Sequence, residues 1–312
     1  MNLTPLASAS LTALAALTLT ACGSSDPFAE QSSAPTTPAE SGTVVIGTAN
    51  FPESEIIGQI WAKALRREGY NVEVSSGIGS REVYLGALEE GSVNLVPEYA
   101  GNLAQYYGEL PAGADEDAVT AALADALPDG LETGEFSPAE SKDAYRVTRE
   151  LADQYGLVTI ADLDKLDTIT IAAPPEFAER PAGPKGLTGT YGIDAGKITV
   201  NPISDGGGPL TVQALVQGAA NAANIFTTSP ALLSDGSEAD LVTLEDPNNL
   251  IPPQNVVPVV KAGSLPDGAL DAVNRIDAKL TTDALVAMNL RNMGPERAEP
   301  AEIAKDWVEE KA

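Results

Sequence analysis

Residues 43–67 read TVVIGTANFPESEIIGQIWAKALRR, a short β-branched run followed by a segment with a helical stripe. The opening run, 43–47, is bounded by glycine and reads as a buried strand. Over 54–67, Ile56, Ile57, Ile60, Trp61 and Leu65 recur at the spacing that puts them on one face of a helix. The stretch is a first βα unit, and the pattern continues outward from it. Residues 71–75 predict a second strand, 80–89 a helix with Val83, Tyr84, Ala87 and Leu88 turned inward, and 93–99 a third strand. Repeated β-α-β predicts an α/β fold with a parallel sheet covered by helices.

Further along, 114–127 reads as a helix and 128–138 as loop. A second α/β series then begins: 144–155 passes from strand into helix, 168–173 and 197–203 are apolar β runs, and 210–217 is a compact helix. A second lobe near 142–254 fits this series. Apolar residues at helical spacing return over 269–280 and 283–292, and 300–311 opens with Pro-Ala-Glu and closes polar. With 312 residues and 43% hydrophobic content, the chain can bury one large core or two smaller ones.

Composition excludes several chemistries. There are 18 Lys and Arg against 45 Asp and Glu, a formal charge of −27, so the surface repels polyanions and nucleic acid is not an expected partner. The same charge weakly favours a cationic or zwitterionic ligand. Histidine is absent and Cys22 is the single cysteine, which removes a His-based triad, a zinc site and an intramolecular disulfide. No calcium-loop spacing occurs among the carboxylates, so neither metal nor cofactor is expected. An α/β transferase would need a nucleophile or an acid/base pair, and none stands out, so an enzyme is not expected. Gly206-Gly207-Gly208 lacks the residues of a phosphate cradle and reads as a flexible loop before the helix at Leu210.

The N-terminus accounts for the lone cysteine. Residues 6–21 are uncharged, rich in Leu, Ala and Thr, and too short to span a bilayer; they end in Leu19-Thr20-Ala21-Cys22. This is the pattern of a bacterial lipoprotein signal over 1–21, with cleavage before Cys22 and its acylation (palmitate-type) tethering the protein outside the cytoplasm. Residues 1–10 lack the Lys or Arg that opens such signals, a departure from the pattern that a start codon further upstream would account for. Residues 22–42 are Ser/Pro/Thr/Ala-rich and read as a flexible tether between lipid and domain.

Several segments occur in an order that matters: Asn50-Phe51-Pro52-Glu53, Pro97-Glu98-Tyr99-Ala100-Gly101-Asn102, Pro175-Glu176-Phe177 through Arg180, Gln213-Ala214-Leu215, Phe226-Thr227-Thr228, Leu244-Glu245-Asp246 and Ile251-Pro252-Pro253-Gln254-Asn255. In this order the chain resembles the substrate-binding proteins of osmoprotectant ABC importers, which take up glycine betaine, choline, carnitine and similar quaternary ammonium solutes. The resemblance covers nearly everything after the tether. It implies a type II periplasmic-binding-protein-like fold with two hinge crossovers and the ligand in the cleft between lobes. Lobe I would be residues 43–141 plus 255–312, and lobe II residues 142–254. The partners implied are the small solute, ABC permease subunits and the membrane through the lipid anchor, with the protein itself a monomer.

The resemblance also implies site residues. A quaternary ammonium has no N–H donors and is held by aromatic faces. Tyr99 matches the tyrosine of Pro-Glu-Tyr, and Tyr145, in Asp-Ala-Tyr, a second cage wall. Arg180 stands where the family often has the arginine that holds a ligand carboxylate. The chain departs from the pattern elsewhere: Asn102 replaces a threonine, Val212 and Phe226 replace tyrosines, and Ser54 and Ala49 fall where longer polar residues often reach the ligand. Duller readings stand beside these. Tyr99 and Tyr145 suit half-buried core positions, Arg180 suits a surface pair with Glu176 or Glu179, and Tyr84, Tyr106 and Tyr107 suit packing or the rim, with Tyr106 nearest to a cleft role. The functional alternatives are a protein of the same fold for a different polar solute, or a signalling or structural lipoprotein with a degenerate site.

Overall fold

β1 (Thr43–Gly47) is buried along its whole length, as a strand covered on both faces must be, and its continuous apolar run reflects this. The computed structural model describes residues 42–111 and 113–311; the signal-like segment, Cys22 and the tether up to residue 41 lie outside the described residues. α1 (Pro52–Arg67) follows β1 directly. Proline begins it, Glu53 and Glu55 sit in its first turn and Arg66 and Arg67 in its last, an arrangement that complements the helix dipole. Its five stripe residues Ile56, Ile57, Ile60, Trp61 and Leu65 are fully buried, each contributing roughly 1.5–3 kcal/mol by leaving water.

β2 (Asn71–Ser75), α2 (Arg81–Glu90) and β3 (Leu95–Tyr99) complete the first series. On α2 the buried stripe is Tyr84, Leu85, Ala87 and Leu88, and Val83 is 43% exposed. The inward expectation for Val83 is therefore corrected: the stripe is rotated by one residue toward Leu85. α3 (Ala100–Tyr107) and α4 (Glu116–Ala126) precede β4 (Leu131–Thr133), a strand inside the stretch expected to be loop. Near the end of the chain come β10 (Val256–Lys261), α8 (Ala269–Asp277), α9 (Thr282–Met293) and α10 (Pro300–Lys311). The first sheet has the order β2-β1-β3-β10-β4. β1 runs parallel to β2 and β3, but β10 is antiparallel to both β3 and β4.

The second sheet draws on the middle of the chain: β5 (Tyr145–Thr148), β6 (Ile169–Ala173), β7 (Ile198–Pro202), β8 (Ala222–Asn224) and β9 (Leu241–Thr243), in the order β7-β6-β8-β5-β9. β6 is parallel to β7 and β8, while β5 is antiparallel to β8 and β9. Both sheets are thus mixed rather than parallel. In each, a strand that arrives by a long crossover inserts in the reverse direction. α5 (Arg149–Tyr155), α6 (Pro184–Tyr191) and α7 (Pro209–Val216) pack on this sheet.

The chain passes between the sheets over residues 134–144 and returns over 244–255. The two passes run side by side: Ser137 N donates to Val256 O at 2.8 Å, Val256 N to Ala139 O at 2.9 Å and Ser141 N to Gln254 O at 3.1 Å. Gly101, at the start of α3, donates to Pro253 O on the returning pass at 3.1 Å, and a Cβ there would lie 2.4 Å from that oxygen. The glycine of Pro-Glu-Tyr-Ala-Gly is thus required for this approach.

One buried acid stands apart from the site. Asp277 on α8 is 1% exposed and accepts a 2.7 Å hydrogen bond from Trp61 Nε1, while its other carboxylate oxygen has no partner. Burial pushes its carboxyl up from the ordinary 3.8 to about 7. A raised folded-state value means stability that is complete below the unfolded value and is lost as pH rises through the folded one. Asp277 is therefore expected to cost the fold up to ~4 kcal/mol between about pH 4 and pH 7. Urea unfolding across that window should show the decline, and Asp277→Asn should flatten it; an unchanged slope would contradict the assignment.

Candidate ligand-binding cleft

A cavity of about 150 Å³ lies between the two sheets, small beside the ~300–1,000 Å³ of drug-sized pockets. One wall is aromatic. Phe51 stands at the N-cap of α1, Tyr99 ends β3, and Phe226 follows β8 from the opposite sheet. The Phe51 ring lies 6.1 Å from that of Tyr99 and 5.7 Å from that of Phe226, both tilted, so Phe51 is the central ring of three. Gly206, with φ of +63°, abuts Phe51: a Cβ there would come 3.0 Å from that of Phe51. The glycine run expected to be a loose loop thus closes against the aromatic wall, while Asp205 caps α7 by accepting from Leu210 N and Thr211 N.

Glu53 organises this wall from behind. It is 5% exposed and accepts hydrogen bonds from Tyr99 Oη at 2.7 Å, Thr228 Oγ1 at 2.5 Å and Asn289 Nδ2 at 2.6 Å. Ser141 Oγ in turn lies 2.8 Å from Thr228 Oγ1. The first turn of α1 adds its dipole to these donors. Desolvation, with Glu53 beside it, pushes the Tyr99 phenol well above its usual range, so it stays a neutral donor with a fixed ring.

Charged groups also line or back the cavity. Arg81 forms a fork on Glu98, with Nε and Nη2 at 2.7 and 3.0 Å from the two carboxylate oxygens. Glu98 is fully buried and also accepts from Tyr84 Oη at 2.6 Å and Tyr99 N at 2.9 Å. Burial alone disfavours the Arg81 charge, but Glu98 more than offsets this and holds the guanidinium above its ordinary value. Asp143 is held by two amides: Asn224 Nδ2 donates to Oδ1 at 2.9 Å and Asn102 Nδ2 to Oδ2 at 3.0 Å. Gln254 fixes the Asn102 amide in turn, its Nε2 donating to Asn102 Oδ1 at 3.0 Å. Arg180 lines the cavity and reaches across it to Glu82 on α2 at 2.8 Å. It thus pairs with the other sheet's unit rather than with Glu176 or Glu179; Glu179 pairs with Lys185.

The structure brings together Tyr99, Asn102, Arg180, Phe226 and Ala49 at the cavity. It places three other expected residues elsewhere. Tyr145 is fully buried, donates to Ala182 O at 2.6 Å, and packs edge-on behind the cavity-lining Phe177 with ring centres 6.0 Å apart. Val212 is buried in the core of the second sheet with Leu215 and Ile225. Ser54 is buried and accepts from Ala49 N at 3.0 Å, holding the loop on which Ala49 sits. Tyr106 does not line the cavity, while Tyr84 does. Sequence reasoning missed Phe51, Arg81, Tyr84 and Asp143. Phe51 was quoted within Asn-Phe-Pro-Glu, and Asp143 stands two residues before Tyr145, so both were within reach of motif reading; Arg81 carried no such signal. Among the described residues there is no cluster of three or more potential metal ligands, and no helix is long and apolar enough to cross a membrane.

The family described as the substrate binding domain of ABC-type glycine betaine transport systems matches residues 42–310. A glycine-betaine-binding protein of Pseudomonas aeruginosa is 26% identical over 287 residues, covering 87% of this chain and 89% of that protein. The glycine betaine-binding protein YehZ of Escherichia coli is 24% identical over 280 residues, covering 86% and 90%. The crystal structure of a glycine betaine/carnitine/choline ABC transporter protein, 22% identical, superposes with a TM-score of 0.64 over 86% of this chain and 98% of that one, and shares the two-lobed type II binding-protein fold. Families of this kind bind solutes outside the cytoplasm and are not enzyme families. The chain belongs to the family of substrate-binding domains of ABC-type glycine betaine transport systems.

Proposed function

We propose that the cleft captures a quaternary ammonium solute of the glycine betaine, choline or carnitine type and presents it to an ABC permease. The observation that carries this is the convergence of Phe51, Tyr99 and Phe226 on one small cavity. Aromatic faces are what such a head group needs, each ring contributing ~0.5–2 kcal/mol. The proposed contacts are these three rings with Asn102 and Arg180 as polar groups. Tyr145 acts through Phe177, Ser54 through Ala49, and Val212 only as core packing.

Residues 43–141 plus 255–312 form lobe I in this reading, and 142–254 lobe II. The paired passes near Ser137–Ser141 and Gln254–Val256 are the hinge, and the Glu53–Thr228 hydrogen bond joins the lobes behind the ligand. Closure about such a hinge gives the permease one composite surface to read. Cys22 carries the lipid anchor and residues 22–42 the tether, so the monomeric domain works at the outer face of the cell membrane without an enzymatic activity of its own.

Calorimetric titration with choline, glycine betaine and 3,3-dimethyl-1-butanol, the neutral isostere of choline, tests the reading. A quaternary ammonium solute is expected to bind, and the isostere at least about tenfold more weakly, because it lacks the charge that the ring faces attract. Equal binding of the isostere, or no binding of either quaternary solute, would overturn it.

A further inference from the structure

Both arginines of the cleft have carboxylate partners within the protein. Arg81 lays two nitrogens on the buried carboxylate of Glu98, and Arg180 is paired with Glu82 across the mouth. Two carboxylates that line the cavity, Asp143 and Glu176, form no ion pair, although Asp143 adds to the negative charge that Arg81 feels. Asp143 is held only by the neutral amides of Asn102 and Asn224. Among the described residues, no Lys or Arg lies within salt-bridge distance of Asp143 or of Glu176, which also lines the cavity. Two arginines therefore stand against four carboxylates in and around one small cleft. A ligand carboxylate entering here meets an excess of like charge.

A cation without a carboxylate meets the reverse. Asp143 uses one hydrogen bond on each oxygen, and a carboxylate oxygen accepts more than one, so a ligand hydroxyl can donate to it. Its placement is fixed from both sheets: Asn224 ends β8, and Asn102, on α3, is held by Gln254 from the returning pass. The charge is thus pre-positioned, the condition under which polar groups discriminate between ligands.

We infer that this cleft selects cationic, hydroxyl-bearing quaternary ammonium solutes of the choline type over carboxylate-bearing ones such as glycine betaine and carnitine, with Asp143 as the specificity-determining residue and the Arg180–Glu82 pair as its accomplice. The inference rests on the quaternary ammonium reading above and narrows it. Arg180 is the cleft group suited to a ligand carboxylate, and Glu82 competes for it.

The test is a titration of the tether-free domain and two variants with choline and glycine betaine. The unaltered protein is expected to bind choline at least about tenfold more tightly than glycine betaine. Asp143→Asn should shrink that ratio by about tenfold, chiefly by weakening choline. Glu82→Gln, a change on an exposed helix position that leaves the core intact, frees Arg180 and should strengthen glycine betaine severalfold more than choline. Glycine betaine binding as tightly as choline, or a ratio unmoved by both substitutions, would overturn the inference while leaving the quaternary ammonium reading in place. Failure of both solutes to bind would remove that reading, and this inference with it.

Discussion

Arg81→Met is expected to destabilise the fold by about 3–5 kcal/mol, because it leaves a buried carboxylate without its counter-charge. Glu98 is fully buried, and Arg81 supplies two of its hydrogen bonds. The remaining donors, Tyr84 Oη and Tyr99 N, are neutral and satisfy the oxygens only in part. A loss of this size is a large share of the ~5–15 kcal/mol that holds an ordinary domain together. The double variant Arg81→Met with Glu98→Gln should recover much of it, since removing both charges of a buried pair is often close to neutral. Urea unfolding of the three proteins measures both quantities. A single-variant loss below about 1 kcal/mol would mean that water reaches Glu98 and that the pair behaves as a surface ion pair.

Phe51→Ala is expected to weaken binding of the preferred quaternary ammonium solute roughly 10- to 100-fold. Phe51 is the ring that touches both others, at 6.1 Å from Tyr99 and 5.7 Å from Phe226. Its loss removes one cation-binding face, worth ~0.5–2 kcal/mol, and the aromatic pairing that spaces the remaining two, worth ~0.5–1.5 kcal/mol per pair. Alanine keeps the Cβ that abuts Gly206, so the backbone approach there is retained and the loss is that of the ring. Phe51→Tyr keeps the ring and should bind within a few-fold of the unaltered protein. Titration calorimetry on the two variants separates a ring effect from a general loosening of the cleft. Retention of full affinity in the alanine variant would place the head group away from this wall.

The parts of the fold carried by local periodicity were open to reading from the residues. Ile56 to Leu65 on α1 and the β runs at 43–47 and 169–173 state their burial in their spacing. What was not legible depends on contacts distant in sequence. β10 inserts antiparallel beside β3 more than 150 residues after it, and nothing in Val256–Lys261 gives its direction. α3 starts immediately after Tyr99 with a glycine in its first turn, which reads as a break until the Pro253 carbonyl that excludes a side chain there is in view.

The candidate site divides in the same way. Tyr99, Asn102, Arg180 and Phe226 sit in motifs whose order identifies the cleft, and they line it. Tyr145 occupies a motif position as well, but the ring of Phe177 stands between it and the cavity, a displacement that no motif records. Arg81 and Glu98 lie 17 residues apart on a helix and a strand, and only their packing makes a pair of them. Glu53 belongs to a quoted motif, yet its task, receiving Tyr99, Thr228 and Asn289 at once, is visible only when three separated segments meet.

The most direct test of the central claim is a crystal structure of the protein grown with arsenocholine, in which arsenic replaces the quaternary nitrogen and its anomalous scattering marks the head group. The account predicts one strong arsenic peak in the cleft, against the faces of Phe51, Tyr99 and Phe226, with the ligand hydroxyl directed to Asp143. An ordered peak elsewhere on the protein, with these three rings uncovered, would contradict it.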